Sequence, residues 1–117
     1  MGDIRVARVY DGEALPAGRR FLVERLWPRG VRRADLELED WLRDVAPSTE
    51  LRRWFGHDPE RWAEFRRRYA AELDAAPGAW QPLLDAARSD TVVLLYSVRD
   101  REHNNARALR DYLLDRR

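Results

Sequence analysis

Cysteine is absent from the 117 residues. That removes disulfides, cysteine-ligated zinc, iron–sulfur clusters and thiol nucleophiles together. Lysine is absent as well, so arginine supplies all 22 basic charges, a feature of genome composition rather than of selection for phosphate contacts. An excess of charge of one sign is also missing. Against 21 acidic residues the net charge is +1, which disfavours a broad polyanion-binding face or a polybasic membrane anchor. No apolar run approaches the roughly 18 residues of a membrane span, and no signal-peptide pattern opens the chain. Internal repeats, low-complexity tracts, a Walker A loop and a dinucleotide fingerprint are all lacking, so no cofactor is expected. His57 and His103 are the only histidines, and neither has a histidine four residues away, so no metal site is expected. The class left is a cytoplasmic globular domain.

What is present suits one core. The chain is 44% hydrophobic and 37% charged, with 5 Trp, 4 Tyr and 3 Phe. Its length fits a single domain over residues 1–117, since domains commonly run to about 100–150 residues. Ile4 to Tyr10, Phe21 to Leu26 and Thr91 to Tyr96 read as strands. The last, with Val92-Val93-Leu94-Leu95-Tyr96, is apolar on both faces, as in a parallel sheet covered by helices on each side. Leu38, Trp41, Leu42 and Val45 recur at helical spacing. Ser48 is a good N-cap for a short helix stopped at Gly56. Asp58-Pro59-Glu60 starts a longer helix that ends at Pro77-Gly78, Trp80, Leu83, Leu84 and Ala87 suggest a further one, and the last runs from about Glu102 to Asp115. The expected fold is α/β, a small, mostly parallel three-stranded sheet flanked by helices. About ten residues join the first two strands, short for a parallel crossover and long for a hairpin.

In open α/β sheets ligands bind beyond the carboxyl ends of the strands. Asp11-Gly12 follows the first strand here. Glu24-Arg25 ends the second and leads into Trp27-Pro28-Arg29-Gly30. Ser97 to Asn105, with Arg99, Asp100, Arg101, His103 and Asn104, follows the third and opens the final helix. Backbone amides at a helix start and arginine forks both favour phosphate or carboxylate. The candidate ligand-binding residues are therefore Asp11, Arg25, Trp27, Arg29, Ser97, Arg99, His103 and Asn104. His103 and Asp100 are the candidates for moving a proton.

Ordinary structural roles stand beside these. Asp100 reads equally as an N-cap, Glu24 and Arg25 as an ion pair at a strand end, Asn105 as a plain helix residue, and His57 as a helix connector. Trp41, Trp54, Trp62 and Trp80 fall on apolar helix faces, whereas Trp27 either stacks on a planar ligand or caps the core. Ser97 lacks the nucleophile-elbow pattern.

Arg8-Val9-Tyr10-Asp11, the block VERLWPRG (Val23 to Gly30), the block APSTELRRWFGHDPERWAEF (Ala46 to Phe65) and LLYSVRDREHNNARAL (Leu94 to Leu109) together resemble the domain-of-unknown-function 488 family, in its short YeaO-like branch. The resemblance covers nearly the whole chain in order. It implies a small α/β domain and brings no reaction with it. Two departures stand out. The family block usually has Asp where this chain has Glu24, and longer relatives often carry a Cys near the end of the last strand, in the manner of rhodanese and thiol-phosphatase loops. Tyr96 and Ser97 occupy that stretch here.

Three functional readings follow. The first is a domain that binds a small phosphate- or carboxylate-bearing ligand at the carboxyl ends of its strands. If an enzyme, it would be a hydrolase or group transferase without thiol or metal chemistry. The second is a nucleic-acid accessory protein using Arg29, Arg32, Arg33 and Arg66-Arg67-Arg68. The third is a protein-interaction module with Trp and Arg hot spots. No membrane partner is expected, and the sequence assigns no oligomeric state.

Overall fold

A computed structural model describes residues 2–117. Among them, four strands form one sheet: β1 (Ile4–Arg8), β2 (Arg19–Leu22), β3 (Asp40–Trp41) and β4 (Val92–Tyr96). Their order is β1-β4-β2-β3, and every pairing is parallel. The helices are α1 (Arg33–Leu36), α2 (Thr49–Phe55), α3 (Trp62–Asp74), α4 (Pro77–Ala87) and α5 (Asn105–Leu114).

The sheet has one strand more than the three expected. β3 lies where apolar spacing predicts a helix. The spacing misleads because its residues serve opposite faces of the sheet. Leu38 and Trp41 pack against the cluster of Ala7, Leu22, Leu36, Val93 and Leu95, whereas Val45 and Leu42 belong with Phe21, Val23 and Leu94. The preceding helix stops at Leu36 because Glu37 takes a left-handed backbone, φ 49°. β2 also stops earlier than expected, at Leu22, so Glu24 and Arg25 belong to the loop after it.

All five residues of β4 are buried, as a strand flanked by β1 and β2 and packed on both faces requires. The helices are not shared evenly between those faces. Residues of α2, α3, α4 and α5 all enter the Phe21 cluster, while the other face is covered by α1 and irregular chain carrying Leu15, Trp27 and Val31. The short first connection follows from this. β4 lies between β1 and β2, and residues 9–18 return across the second face, Val9–Ala14 as a 3-10 turn and the rest as irregular chain, burying Val9 and Leu15. Gly12, at φ 56° and ψ −122°, permits the kink in that turn. No α-helix joins β1 to β2.

At α3 the chain follows its start signals closely. Asp58 accepts the Glu60 amide with Pro59 at the first helical position. Phe65, Tyr69 and Leu73 then share the buried face. α4 begins at Pro77 itself, so Pro77-Gly78 opens this helix rather than closing the one before it. Among the described residues no helix is long and apolar enough to cross a membrane.

Candidate functional site

Because all strands run the same way, the loops after β2, β3 and β4 meet at one edge. Glu24, two residues beyond β2, accepts hydrogen bonds through Oε1 from the Ser97 amide at 2.6 Å and the Ser97 hydroxyl at 3.0 Å. Asn105, at the start of α5, donates to the Val23 carbonyl at 2.6 Å. Arg25 donates to the carbonyls of Pro47 at 2.9 Å and Ala46 at 3.1 Å, tying the loop after β2 to the entry of α2. Arg8 donates to the carbonyls of Ser97 and Val98. These links fix the mouth of a cavity of about 330 Å³. It is lined by Glu24, Arg25, Arg52, Arg53, His57, His103, Asn104 and Asn105 among polar residues, and by Leu26, Phe55, Phe65 and Val98 among apolar ones. A shallower depression adjoins it through His57 and Val98 and contains Arg8, Tyr10, Ser97 and Arg99.

The site residues expected from sequence fall into three groups. Arg25, His103 and Asn104 line the cavity, while Ser97 and Arg99 line the neighbouring depression. Asp11 lines neither; it accepts the Arg8 amide and is held by a two-pronged pair with Arg101, at 2.8 and 3.2 Å. That guanidinium holds the Asp11 carboxyl below the usual carboxylate range. Trp27 and Arg29 are in neither lining. The Trp27 indole donates to the Val31 carbonyl at 2.7 Å and meets Trp41 edge-on at 5.4 Å, so it completes the second core face. The Arg29 side chain is exposed, and its carbonyl accepts the Tyr10 hydroxyl.

Several local roles are now specific. Glu24 and Arg25 do not pair with each other; each holds a different loop. The N-cap of α5 is Asn104 rather than Asp100: its Oδ1 accepts the Arg107 amide and its Nδ2 donates to the Asp100 carbonyl. Asp100 closes the turn before it, accepting the amides of Glu102 and His103, each at 2.9 Å. The His103 amide is the main reason its carboxyl lies below the usual range. Its other oxygen meets His103 Nδ1 at 2.9 Å, and the imidazole rests edge-on against Trp62. Glu24 shifts the opposite way. Burial pushes its carboxyl up, opposed by the Ser97 hydrogen bonds and by the charges of Arg52 and His57.

Arg52, Arg53 and the siting of His57 escape sequence reasoning. Nothing in the spacing of α2 distinguishes arginines turned to a cavity from solvated ones. The short connection through Gly56 and His57, both left-handed at φ 56° and 57°, brings His57 back to the rim. A non-glycine in that conformation is uncommon, and no sequence signal marks it.

The chain matches the model described as the inactive DUF488-N3 subclade over residues 3–117. It belongs to the DUF488 family. The uncharacterized protein YeaO of Escherichia coli K12 is 40% identical over 111 residues, covering 95% of this chain and 96% of YeaO. The uncharacterized proteins Rv3073c of Mycobacterium tuberculosis and Mb3100c of Mycobacterium bovis are each 51% identical over 70 residues, 60% of this chain and 59% of theirs. No solved structure matches. For this DUF488 member, the stretch where longer relatives carry Cys is Tyr96, buried at the end of β4, and Ser97, which is bonded to Glu24.

Proposed function

We propose that this DUF488 domain binds a small ligand through a phosphate or carboxylate group in the cavity at the carboxyl edge of its sheet, and holds it without turnover. The observation that carries the reading is the state of its arginines. Most are engaged by carboxylates, carbonyls or aromatic rings. Five arginine side chains, those of Arg29, Arg52, Arg53, Arg99 and Arg107, have no hydrogen-bond, ion-pair or ring partner among the described residues, and three of them, Arg52, Arg53 and Arg99, stand at the cavity or its adjoining depression. Unpaired guanidinium groups around a partly apolar hollow are suited to a small anion with an organic body. Arg25 adds positive charge at the same wall, and His57 a ring nitrogen able to donate.

Three features favour binding over catalysis. No thiol exists in the chain. Asp100 is committed to the turn that positions His103. The matched subclade is described as inactive. The nucleic-acid reading has less support, because Arg66, Arg67 and Arg68 pair with Asp111 and Glu64.

Titration calorimetry with inorganic phosphate, sulfate and adenosine monophosphate tests the proposal. Binding by at least one is expected, and Arg52→Ala combined with Arg53→Ala should weaken it about tenfold or more, the scale of lost charge-assisted hydrogen bonds. Absence of binding by all three, or unchanged affinity in the double variant, overturns it.

A further inference from the structure

Cations are not the whole of this cavity: a carboxylate stands in its wall. Glu24 is only 9% exposed, and its two oxygens are treated differently. Oε1 receives both donors of Ser97. Oε2 receives no hydrogen bond among the described residues, yet no side-chain oxygen or nitrogen in them is both buried and without a partner. Oε2 is therefore open to the cavity that Glu24 lines. Drawing a carboxylate out of water is costly unless donors meet its lone pairs. Ser97 meets that need on one side only.

We infer that the ligand carries a hydroxyl or ammonium donor beside its anionic group, the donor meeting Glu24 Oε2 while Arg52 and Arg53 hold the anion. The ligand class is thus a hydroxy- or amino-substituted phosphate or carboxylate, not a bare anion. The inference rests on the anion-binding reading above and adds a second, opposite demand in the same 330 Å³. Two unlike demands orient a ligand. An anion without a donor would shut Oε2 away from water and give nothing back, and sites that hydrogen-bond a ligand group reject analogues lacking it. The Ser97 bonds hold Oε1, so the carboxylate cannot easily turn aside to relieve the mismatch. Arg52 is the guanidinium whose charge reaches Glu24. It favours the ionised form of that carboxyl, the form that accepts from an ammonium group.

Calorimetry at constant ionic strength and pH 8 with propyl phosphate, 3-hydroxypropyl phosphate and 3-aminopropyl phosphate decides the matter. The two donor-bearing esters should bind the wild-type protein about tenfold tighter than propyl phosphate, the scale of one hydrogen bond to a charged group. In Glu24→Gln the amide oxygen keeps the Ser97 donors and the NH₂ faces the cavity. The preference for the ammonium ester should then vanish, with a thermal melt checking that the variant is folded. Equal binding of the three esters by the wild-type protein overturns the donor requirement and leaves the anion site standing. Binding of none overturns both. The wild-type series decides even if the variant does not fold.

Discussion

Glu24 links stability to pH in a direction opposite to Asp11, Glu39, Glu64, Asp74 and Asp100, whose carboxyls are held below the ordinary range. Its carboxyl titrates above the ordinary value of 4.5 because burial penalises the charge more than Ser97, Arg52 and His57 compensate. A raised carboxyl means that the folded state holds the proton more firmly than the unfolded chain. The stability so gained is full below the unfolded value and is lost as pH climbs through the folded one. Glutamine at this position does not titrate. Relative to wild type, Glu24→Gln should therefore gain stability as pH rises from about 4 to 8, by about 1.4 kcal/mol for each pH unit separating the folded and unfolded values. Urea denaturation of both proteins across that range measures the difference. Asp11 and Asp100, both lowered, stabilise the fold above their unfolded values and lose that effect in acid. They act equally in both proteins and cancel. A difference that stays flat with pH would place the Glu24 carboxylate in a wetter setting than its 9% exposure implies.

The start of α5 is where sequence and structure agree most closely about an element and least about which residue does the work. The helix and its polar approach are legible from the run after β4, and Asp100 is the natural capping candidate. The chain instead uses Asp100 for the turn and Asn104 for the cap. Asn104 is 2% exposed and uses its amide in both senses, accepting from Arg107 and donating to the Asp100 carbonyl. Asn104→Ala strips both and should cost about 1–2 kcal/mol in urea denaturation. Asn104→Asp keeps the acceptor and should recover a good part of that loss. Equal loss in the two variants would mean that the donor to Asp100, and not the cap, holds the turn. β3 marks the limit of the same kind of reading. Leu38, Trp41, Leu42 and Val45 repeat at helical intervals, but periodicity along a chain cannot reveal that two buried faces divide those residues between them. The candidate site is legible in the same partial way. Strand ends could be found from apolar runs, which placed Arg25, Ser97, Arg99, His103 and Asn104 at the cavity or its adjoining depression. Arg52 and Arg53 come from the far side of that edge on a helix whose pattern reads only as half-buried.

Across the whole molecule, the strand order sets both where the cavity lies and how firmly it is held. β4 is formed late in the chain yet occupies the middle, paired to β1 over Val92 to Tyr96 and to β2 over Val92 to Leu95. Its insertion brings Ser97 beside Glu24 and directs α5 back along the sheet. The cavity wall is therefore assembled only when residues 4–24 and 92–105 are both in place. β3 is different: it pairs with β2 alone, over Phe21–Asp40 and Leu22–Trp41, and both its residues are partly open to solvent. Amides between two partners and beneath two core faces exchange with solvent only when the molecule opens as a whole, whereas an edge pair opens locally. Hydrogen exchange followed by NMR should find the β4 amides slowest, with rates tracking global stability as urea is added. The Leu42 amide, which donates to the Leu22 carbonyl at 2.8 Å and so reports on the β2–β3 pairing, should exchange at least about a hundredfold faster and with little dependence on denaturant. If the Leu42 amide exchanges as slowly as that of Leu94, the short strand is part of the cooperative unit, and the loop from β3 to α2 that Arg25 grips is as rigid as the sheet itself. If instead the β4 amides exchange quickly, the central placement of that strand is wrong. Glu24 and Ser97 would then lose the support that brings them together.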